Sequence, residues 1–190
     1  MRRSIHEQVL IYKIKRGDNS AFGPLYDFYV EPVYRFVYLK VPTSQDAEDI
    51  TAQTFLKAWQ SIKDQKRINN LNALIYQIAR NLVADFYRSR GTIIESIEEQ
   101  ETVIADRVDL SLEEKMNLKS EMVAVEGALR QLKHEYREVI VLFYLNDLSL
   151  KEIADIIGRS PGATRVLAHR GLKALKNILH ATETAEAKTS

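Results

Sequence analysis

The stretch Leu148-Ser149-Leu150-Lys151-Glu152-Ile153-Ala154-Asp155-Ile156-Ile157-Gly158-Arg159-Ser160-Pro161-Gly162-Ala163 decides the architecture of this 190-residue chain. Ser149 and Glu152 have the spacing of a capping box, in which each side chain satisfies an orphan amide at a helix start. That predicts a short helix over Leu150 to Ile157. Gly158 then supplies a left-handed turn, Ser160 a second N-cap, and Pro161 the first position of a second helix. Ala154 is small where that helix would cross closely, so helix, tight turn and helix follow in order. Arg159 and Thr164 stand where apolar residues usually pack in such a unit, and a slightly looser turn is expected there.

The second helix is predicted from Pro161 to Leu179. At about 100° per residue, Leu167, Ala168, Gly171, Leu172, Ala174, Leu175, Ile178 and Leu179 share one arc, while Arg165, His169, Arg170, Lys173 and Lys176 share the opposite one. Five Lys and Arg residues and no acid lie between Arg159 and Lys176. A face that is merely solvated normally mixes both signs; this one suits a phosphate backbone, with side chains near the helix start in reach of base edges. Arg165 and Arg170 are the best candidates for guanine, because a planar guanidinium can bond two acceptors on one base. His169 fits a base, a phosphate or the core boundary.

Outward from this stretch, proline and glycine are sparse, β-branched alternation is absent, and apolar residues recur every three or four positions. The fold class read from this pattern is all-α, two small helical domains joined by an acidic linker, the C-terminal one a helix-turn-helix. Eight helices are expected: Ile5 to Arg16, Ser20 to Lys40, Gln45 to Lys63, Leu71 to Arg90, Leu118 to Gln131, Lys133 to Asn146, Leu150 to Ile157 and Pro161 to Leu179. The formal charge of +1 averages unlike segments. Residues 1–90 hold 14 Lys+Arg against 9 Asp+Glu, residues 91–118 hold 2 against 8, and residues 119–190 hold 11 against 9. Two basic blocks therefore flank an acidic connector. The division expected is 1–90 for the first domain, 91–117 for the linker, 118–180 for the second domain and 181–190 for a disordered tail.

Several classes are excluded. With no cysteine there is no disulfide framework, thiolate zinc site or cysteine nucleophile, and four scattered histidines offer little other metal chemistry. No metal and no cofactor is expected. No apolar run approaches the roughly 18 residues of a membrane span, and the N-terminus lacks the apolar stretch of a secretory signal, so membrane insertion is not expected and a cytoplasmic location is. Asp46, Glu48 and Asp49 prompt a nuclease-like metal or acid-base site, but their spacing points Glu48 away from Asp46, and no histidine or nucleophile accompanies them. Acids in a first helical turn favour the helix dipole instead. No catalytic residue is assigned, and no enzyme activity is expected.

Two helices of the first half carry further signals. On Leu71 to Arg90 the residues Ile75, Ile78, Ala79, Leu82 and Phe86 form the expected buried stripe. Beside it lie Tyr76, Arg80, Ala84, Tyr87 and Arg88, with Gln77 and Asn81 adjoining. Aromatics among arginines suit single-stranded DNA, since rings stack on unpaired bases while cations track phosphates; the same tyrosines also suit the rim of a helical core. The polar segment Gln65-Lys66-Arg67-Ile68-Asn69-Asn70 precedes this helix as a loop that can hold an unstacked base. On Gln45 to Lys63, Ala47, Ile50, Thr54, Phe55, Ala58 and Ile62 point to one side. Asp46, Asp49, Gln53, Lys57 and Gln60 occupy the other, and Leu56 sits among them, which suggests a protein contact.

The order of parts is now recognisable: Asp46-Ala47-Glu48-Asp49-Ile50 through Thr54-Phe55-Leu56-Lys57-Ala58-Trp59, then Ile78-Ala79-Arg80-Asn81-Leu82, then Leu148 to Ala154 and Gly158 to Ala163. It closely resembles the extracytoplasmic-function group of bacterial RNA polymerase sigma factors, over nearly everything from Ala21 to Leu179. The resemblance implies that core RNA polymerase and promoter DNA, both duplex and single-stranded, are the partners, with an anti-sigma factor as a further one. It assigns core binding to Asp46, Asp49, Gln53, Leu56, Lys57 and Gln60, docked on the clamp helices of the largest subunit. It assigns the non-template strand of the minus-ten element to Lys66, Arg67, Asn69, Tyr76, Arg80, Asn81, Ala84, Tyr87 and Arg88. The minus-thirty-five element falls to Ser160, Gly162, Ala163, Arg165, Val166, His169, Arg170 and Lys173 in the major groove. Leu118 to Asn146 would pack beneath the helix-turn-helix and present it to the flap of the second-largest subunit, and the acidic linker would thread the RNA path. The chain departs from the family pattern at Ala52-Gln53, where a glutamine and then an acid are usual, and at Thr164, where an aliphatic is usual.

Geometry agrees with a two-site reader, since a connector of about 27 residues extends to roughly 90 Å and two duplex turns span about 70 Å. The competing class is a stand-alone helix-turn-helix regulator with an N-terminal dimerisation or sensor domain, for which a dimer and a palindromic site are expected.

Overall fold

The structure is a computed structural model that describes residues 2–64, 68, 70–90, 114–146 and 148–186, with side chains over 7–64, 68, 70–90, 123–146 and 148–181. The described residues form eight α-helices and no strand: α1 Arg2–Lys15, α2 Phe22–Tyr38, α3 Ser44–Lys63, α4 Leu71–Ser89, α5 Glu114–Gln131, α6 His134–Ile140, α7 Leu150–Ile157 and α8 Pro161–Glu186. The chain divides into two compact units, Met1–Glu99 with Asp155–Gly158 and Gln100–Ala154 with Arg159–Ser190. The acidic connector expected over residues 91–117 falls mostly outside the described residues. At its end α5 begins at Glu114, four residues before the first apolar position of the expected helix, because Glu-Lys-Met-Asn continues a helix as readily as it forms a loop.

In the first unit, local chemistry sets each boundary. Gly17 takes φ +97 and ends α1, a conformation that costs glycine nothing. Asp18 then caps a 3-10 turn, Asn19–Ala21, through the Ser20 amide at 3.1 Å and hydroxyl at 2.5 Å. That hydroxyl bond holds the Asp18 carboxyl below the usual carboxylate value. The single helix expected from Ser20 is therefore a 3-10 turn followed by α2. Thr43 caps α3 by accepting from the Asp46 amide at 3.1 Å and donating to its carboxylate at 2.7 Å. Asn70 caps α4 through the Ala73 amide at 3.0 Å.

The core of this unit lies between α2, α3 and α4, with Leu10, Ile11 and Ile14 of α1 buried against it. Val33, Phe36 and Val37 of α2 meet Ala47, Phe55, Ala58 and Ile62 of α3 and Leu71, Ile75, Tyr76 and Ala79 of α4, all buried. Phe36 and Tyr76 pack edge-to-face at 5.3 Å, and Tyr26 and Phe55 at 4.9 Å. Each large apolar side chain taken fully out of water contributes roughly 1.5–3 kcal/mol. Of the two buried threonines of α3, Thr54 returns its hydroxyl to the Ile50 carbonyl at 2.7 Å, while the Thr51 hydroxyl has no hydrogen-bond partner among the described residues.

In the second unit, α5 ends against Arg137 of α6. The Arg137 guanidinium donates to the carbonyls of Leu129 at 2.8 Å, Leu132 at 3.0 Å and Arg130, placing a cation on the negative end of α5. The helix expected from Lys133 to Asn146 is α6 continued by a π-helical segment, Val141–Leu145. Past that segment the Leu148 amide reaches the Leu142 carbonyl at 3.1 Å. Packing of α6 on α8 centres on Gly171, where a Cβ would stand 3.0 Å from Ile140 Cγ1 and 3.3 Å from Tyr136 Cβ. α8 runs on to Glu186, past the expected end at Leu179 and into the expected tail, because Ala, Glu and Thr follow without a glycine or proline to stop it.

Candidate functional site

The turn ahead of α8 is built as its chemistry requires. Ser149 and Glu152 close a reciprocal capping box at the start of α7: the Ser149 amide and hydroxyl donate to the Glu152 carboxylate at 2.9 and 2.7 Å, and the Glu152 amide donates to Ser149 Oγ at 3.3 Å. Gly158 has φ +69. Ser160 then accepts from the Ala163 amide at 3.2 Å. Thr164, expected to loosen the packing, is fully buried, and its hydroxyl donates to the Ser160 carbonyl at 3.0 Å. Threonine can stand in for an aliphatic here because its one polar atom is satisfied within its own turn. Arg159, the other departure, leaves the core instead and pairs with Glu135 of α6 at 3.4 Å.

That turn aims one face of α8 at solvent. Arg165, His169, Arg170, Lys173 and Lys176 are all exposed, as are Gly162 and Val166, while Ala163 is half-buried. None of these five cationic or imidazole side chains is paired with an acid among the described residues. Arg130 and Arg159, outside this face, are both paired with glutamates. The face is thus a set of uncommitted cations on a rigid, capped helix.

On α3 the residues Asp49, Gln53, Leu56, Lys57 and Gln60 are exposed and recur at helical spacing, with Leu56 54% exposed in their midst. Asp46 does not join this stripe. Its carboxylate is taken by the Thr43 cap and by Arg90 at 3.1 Å, the role that helix-start electrostatics gives it. Arg90 in turn lies over the Phe86 ring at 4.0 Å.

The aromatic reading of α4 requires a correction. Tyr76 is 1% exposed and offers no ring face to a base, because α4 is covered on two sides and Tyr76 faces Phe36. Tyr87 is half-buried, and its hydroxyl donates to the Lys40 carbonyl at 2.7 Å. Arg80 and Ala84 are half-buried, and Asn81 and Arg88 are exposed, with Arg88 paired to Asp85. Ile78 and Phe86, expected in the buried stripe, are half-buried, while Val83 is buried. Lys66, Arg67 and Asn69 lie outside the described residues. Sequence reasoning missed Lys40, which is 4% exposed with its ammonium 4.2 Å from the Phe36 ring centroid, and the Arg90–Asp46 pair. Nothing local marks the Arg90–Asp46 pair, whose members are 44 residues apart and meet only when the helices assemble; Lys40 lies one turn beyond Phe36, but its burial depends on the same assembly.

One unit thus carries a capped helix-turn-helix whose cations have no acidic partner among the described residues, and the other a helical core with a polar stripe on α3. Sigma-70 region 2 matches residues 25–93, and sigma-70 region 4 matches residues 122–175. The chain is 30% identical over 181 residues to the extracytoplasmic-function RNA polymerase sigma factor SigW of Bacillus subtilis, covering 89% of this chain and 94% of that protein. It is 33% identical over 171 residues to the sigma factor BldN of Streptomyces coelicolor, covering 90% of this chain and 64% of BldN. The chain thus spans less than two thirds of BldN's length. In fold it is similar to CnrH, solved with the cytosolic domain of CnrY, with a TM-score of 0.69 at 22% identity over 93% of this chain and 98% of CnrH. The chain belongs to the extracytoplasmic-function group of RNA polymerase sigma factors. No described helix is long and apolar enough to cross a membrane.

Proposed function

We propose that this chain binds core RNA polymerase in the cytoplasm and directs it to a restricted set of promoters, acting by binding and not by catalysis. The exposed stripe Asp49, Gln53, Leu56, Lys57 and Gln60 is the polymerase-docking surface. Arg80, Asn81, Ala84 and Arg88, with Lys66, Arg67 and Asn69 ahead of them and Tyr87 as an anchored edge, hold the melted minus-ten strand. Ser160, Gly162, Ala163, Arg165, Val166, His169, Arg170 and Lys173 read the minus-thirty-five duplex. An anti-sigma factor is a further partner, by family membership. The observation that carries the reading is the face of α8, where cations without acidic partners among the described residues stand on a helix whose start is fixed by the left-handed Gly158 and the Ser160 cap.

In mechanism, cations along α8 neutralise phosphates and set the register, while side chains near its start reach base edges. Capture of unpaired bases by the first unit favours the open strand over the closed duplex. Binding to polymerase and to both promoter elements offsets the unstacking.

The test is run-off transcription with sigma-free core polymerase, repeated with Arg165→Ala, Arg170→Ala and Leu56→Ala. Both arginine variants are expected to lose dependence on the upstream element while still associating with core, and the leucine variant to lose core association. Absence of any specific transcript with the unaltered chain contradicts the proposal.

A further inference from the structure

We propose that Val166 reads the C5 methyl group of a thymine in the duplex that α8 enters; this deepens the promoter reading above and rests on it. Val166 is 47% exposed on an otherwise cationic face. A lone exposed valine carries no meaning by itself, but its place here does. Gly171, at the closest approach of α8 to α6, marks the buried side of the helix. Gly162 lies nine residues earlier, which at about 100° per residue puts it on the opposite, outermost line, and Val166, one turn on, stands about 40° from it. Arg165 and Arg170 flank that line on either side, with His169 and Lys173 close to it. The cationic face as a whole turns toward the duplex, so the line at its middle faces the groove floor.

Two local features let the isopropyl group reach that floor. Gly162 has no side chain, and a Cβ there would meet nothing within 4 Å, so the start of the helix can approach the bases closely. Valine in a helix holds essentially one side-chain rotamer, so little freedom is lost when its methyl groups are buried. An apolar group at the centre of a polar face gains only where it meets another apolar group. Thymine is the one ordinary base that presents a methyl in the major groove.

Uracil keeps the hydrogen-bonding pattern of thymine and lacks only the methyl, so it isolates the contact. The experiment uses the full chain with core polymerase on a promoter selected from templates randomised upstream, with each upstream thymine replaced in turn by uracil on either strand. At one position, replacement is expected to lower initiation about fourfold, the equivalent of burying one methyl group. With Val166→Ser the thymine-to-uracil ratio at that position should fall to near unity, and with Val166→Ala it should lie between. Circular dichroism and thermal melting check that both variants fold, as an exposed position requires. If the unaltered chain is insensitive to uracil at every upstream position, or if Val166→Ser keeps the full ratio, the inference is overturned while the promoter reading stands. If no template is transcribed, both fall together.

Discussion

Two glycines on one helix carry opposite consequences for the same substitution. At Gly171 a methyl group would press on buried Ile140 and on Tyr136, whereas at Gly162 it would meet open space. Gly171→Ala is expected to destabilise the second unit by about 1 kcal/mol, the helix-propensity gain being outweighed by overpacking. Gly162→Ala should stabilise it by about 0.5–1 kcal/mol. Urea denaturation of the full chain reads both, and a shared sign would show that α8 does not cross α6 at Gly171. Tyr76 gives a second residue-scale prediction. Tyr76→Ala should cost about 3–5 kcal/mol through loss of core packing, with DNA effects following from unfolding. Asn81→Ala, at an exposed position of the same helix, should leave stability within about 0.5 kcal/mol and weaken only the hold on single-stranded promoter DNA. A stable Tyr76→Ala protein with a selective defect in strand binding would restore the tyrosine to the site.

Arg137 and the capping residues act at the scale of whole elements. Replacing Arg137 by Met would leave the last carbonyls of α5 without their cation, and a loss of about 2–3 kcal/mol is expected in thermal or urea unfolding. Ser149→Ala should cost about 1 kcal/mol by opening the capping box of α7. The polar stripe of α3 answers differently. Leu56→Ala should change stability by less than about 0.5 kcal/mol, because Leu56 is already 54% exposed, while lowering affinity for core polymerase in a pull-down titration. A large stability loss there would mean that Leu56 belongs to the core after all.

The elements also show what the sequence could and could not reveal. The ends of α7 and the start of α8 were legible because the deciding residues, Ser149, Glu152, Gly158, Ser160 and Pro161, act within their own turns. The basic face of α8 was legible because one helical period separates it from the apolar one. On α4 the residues alone left Tyr76 open between a stacking face and the core rim and the resemblance chose the first; the buried arc of a helix covered on two sides is wider than a single apolar stripe, and Phe36, which packs on this tyrosine, is 40 positions away. The pairing of Arg90 with Asp46 and the cap that Arg137 places on α5 likewise need the assembled fold. The extension of α8 through Ala, Glu and Thr was hidden because such a sequence reads equally as a polar tail.

For the whole molecule, the proposed function divides the work between two units, one engaging polymerase and an unpaired strand, the other an intact duplex. Neither has reason to bind promoter tightly alone, since each contributes only part of the contact. Fluorescence anisotropy of a labelled promoter duplex, titrated with the chain in the presence and absence of sigma-free core polymerase and against a scrambled duplex, tests this most directly. Weak binding with little preference for the promoter is expected of the chain alone, and a preference of at least about a hundredfold once core is present. Tight, sequence-specific binding by the isolated chain, unchanged by core, would contradict it.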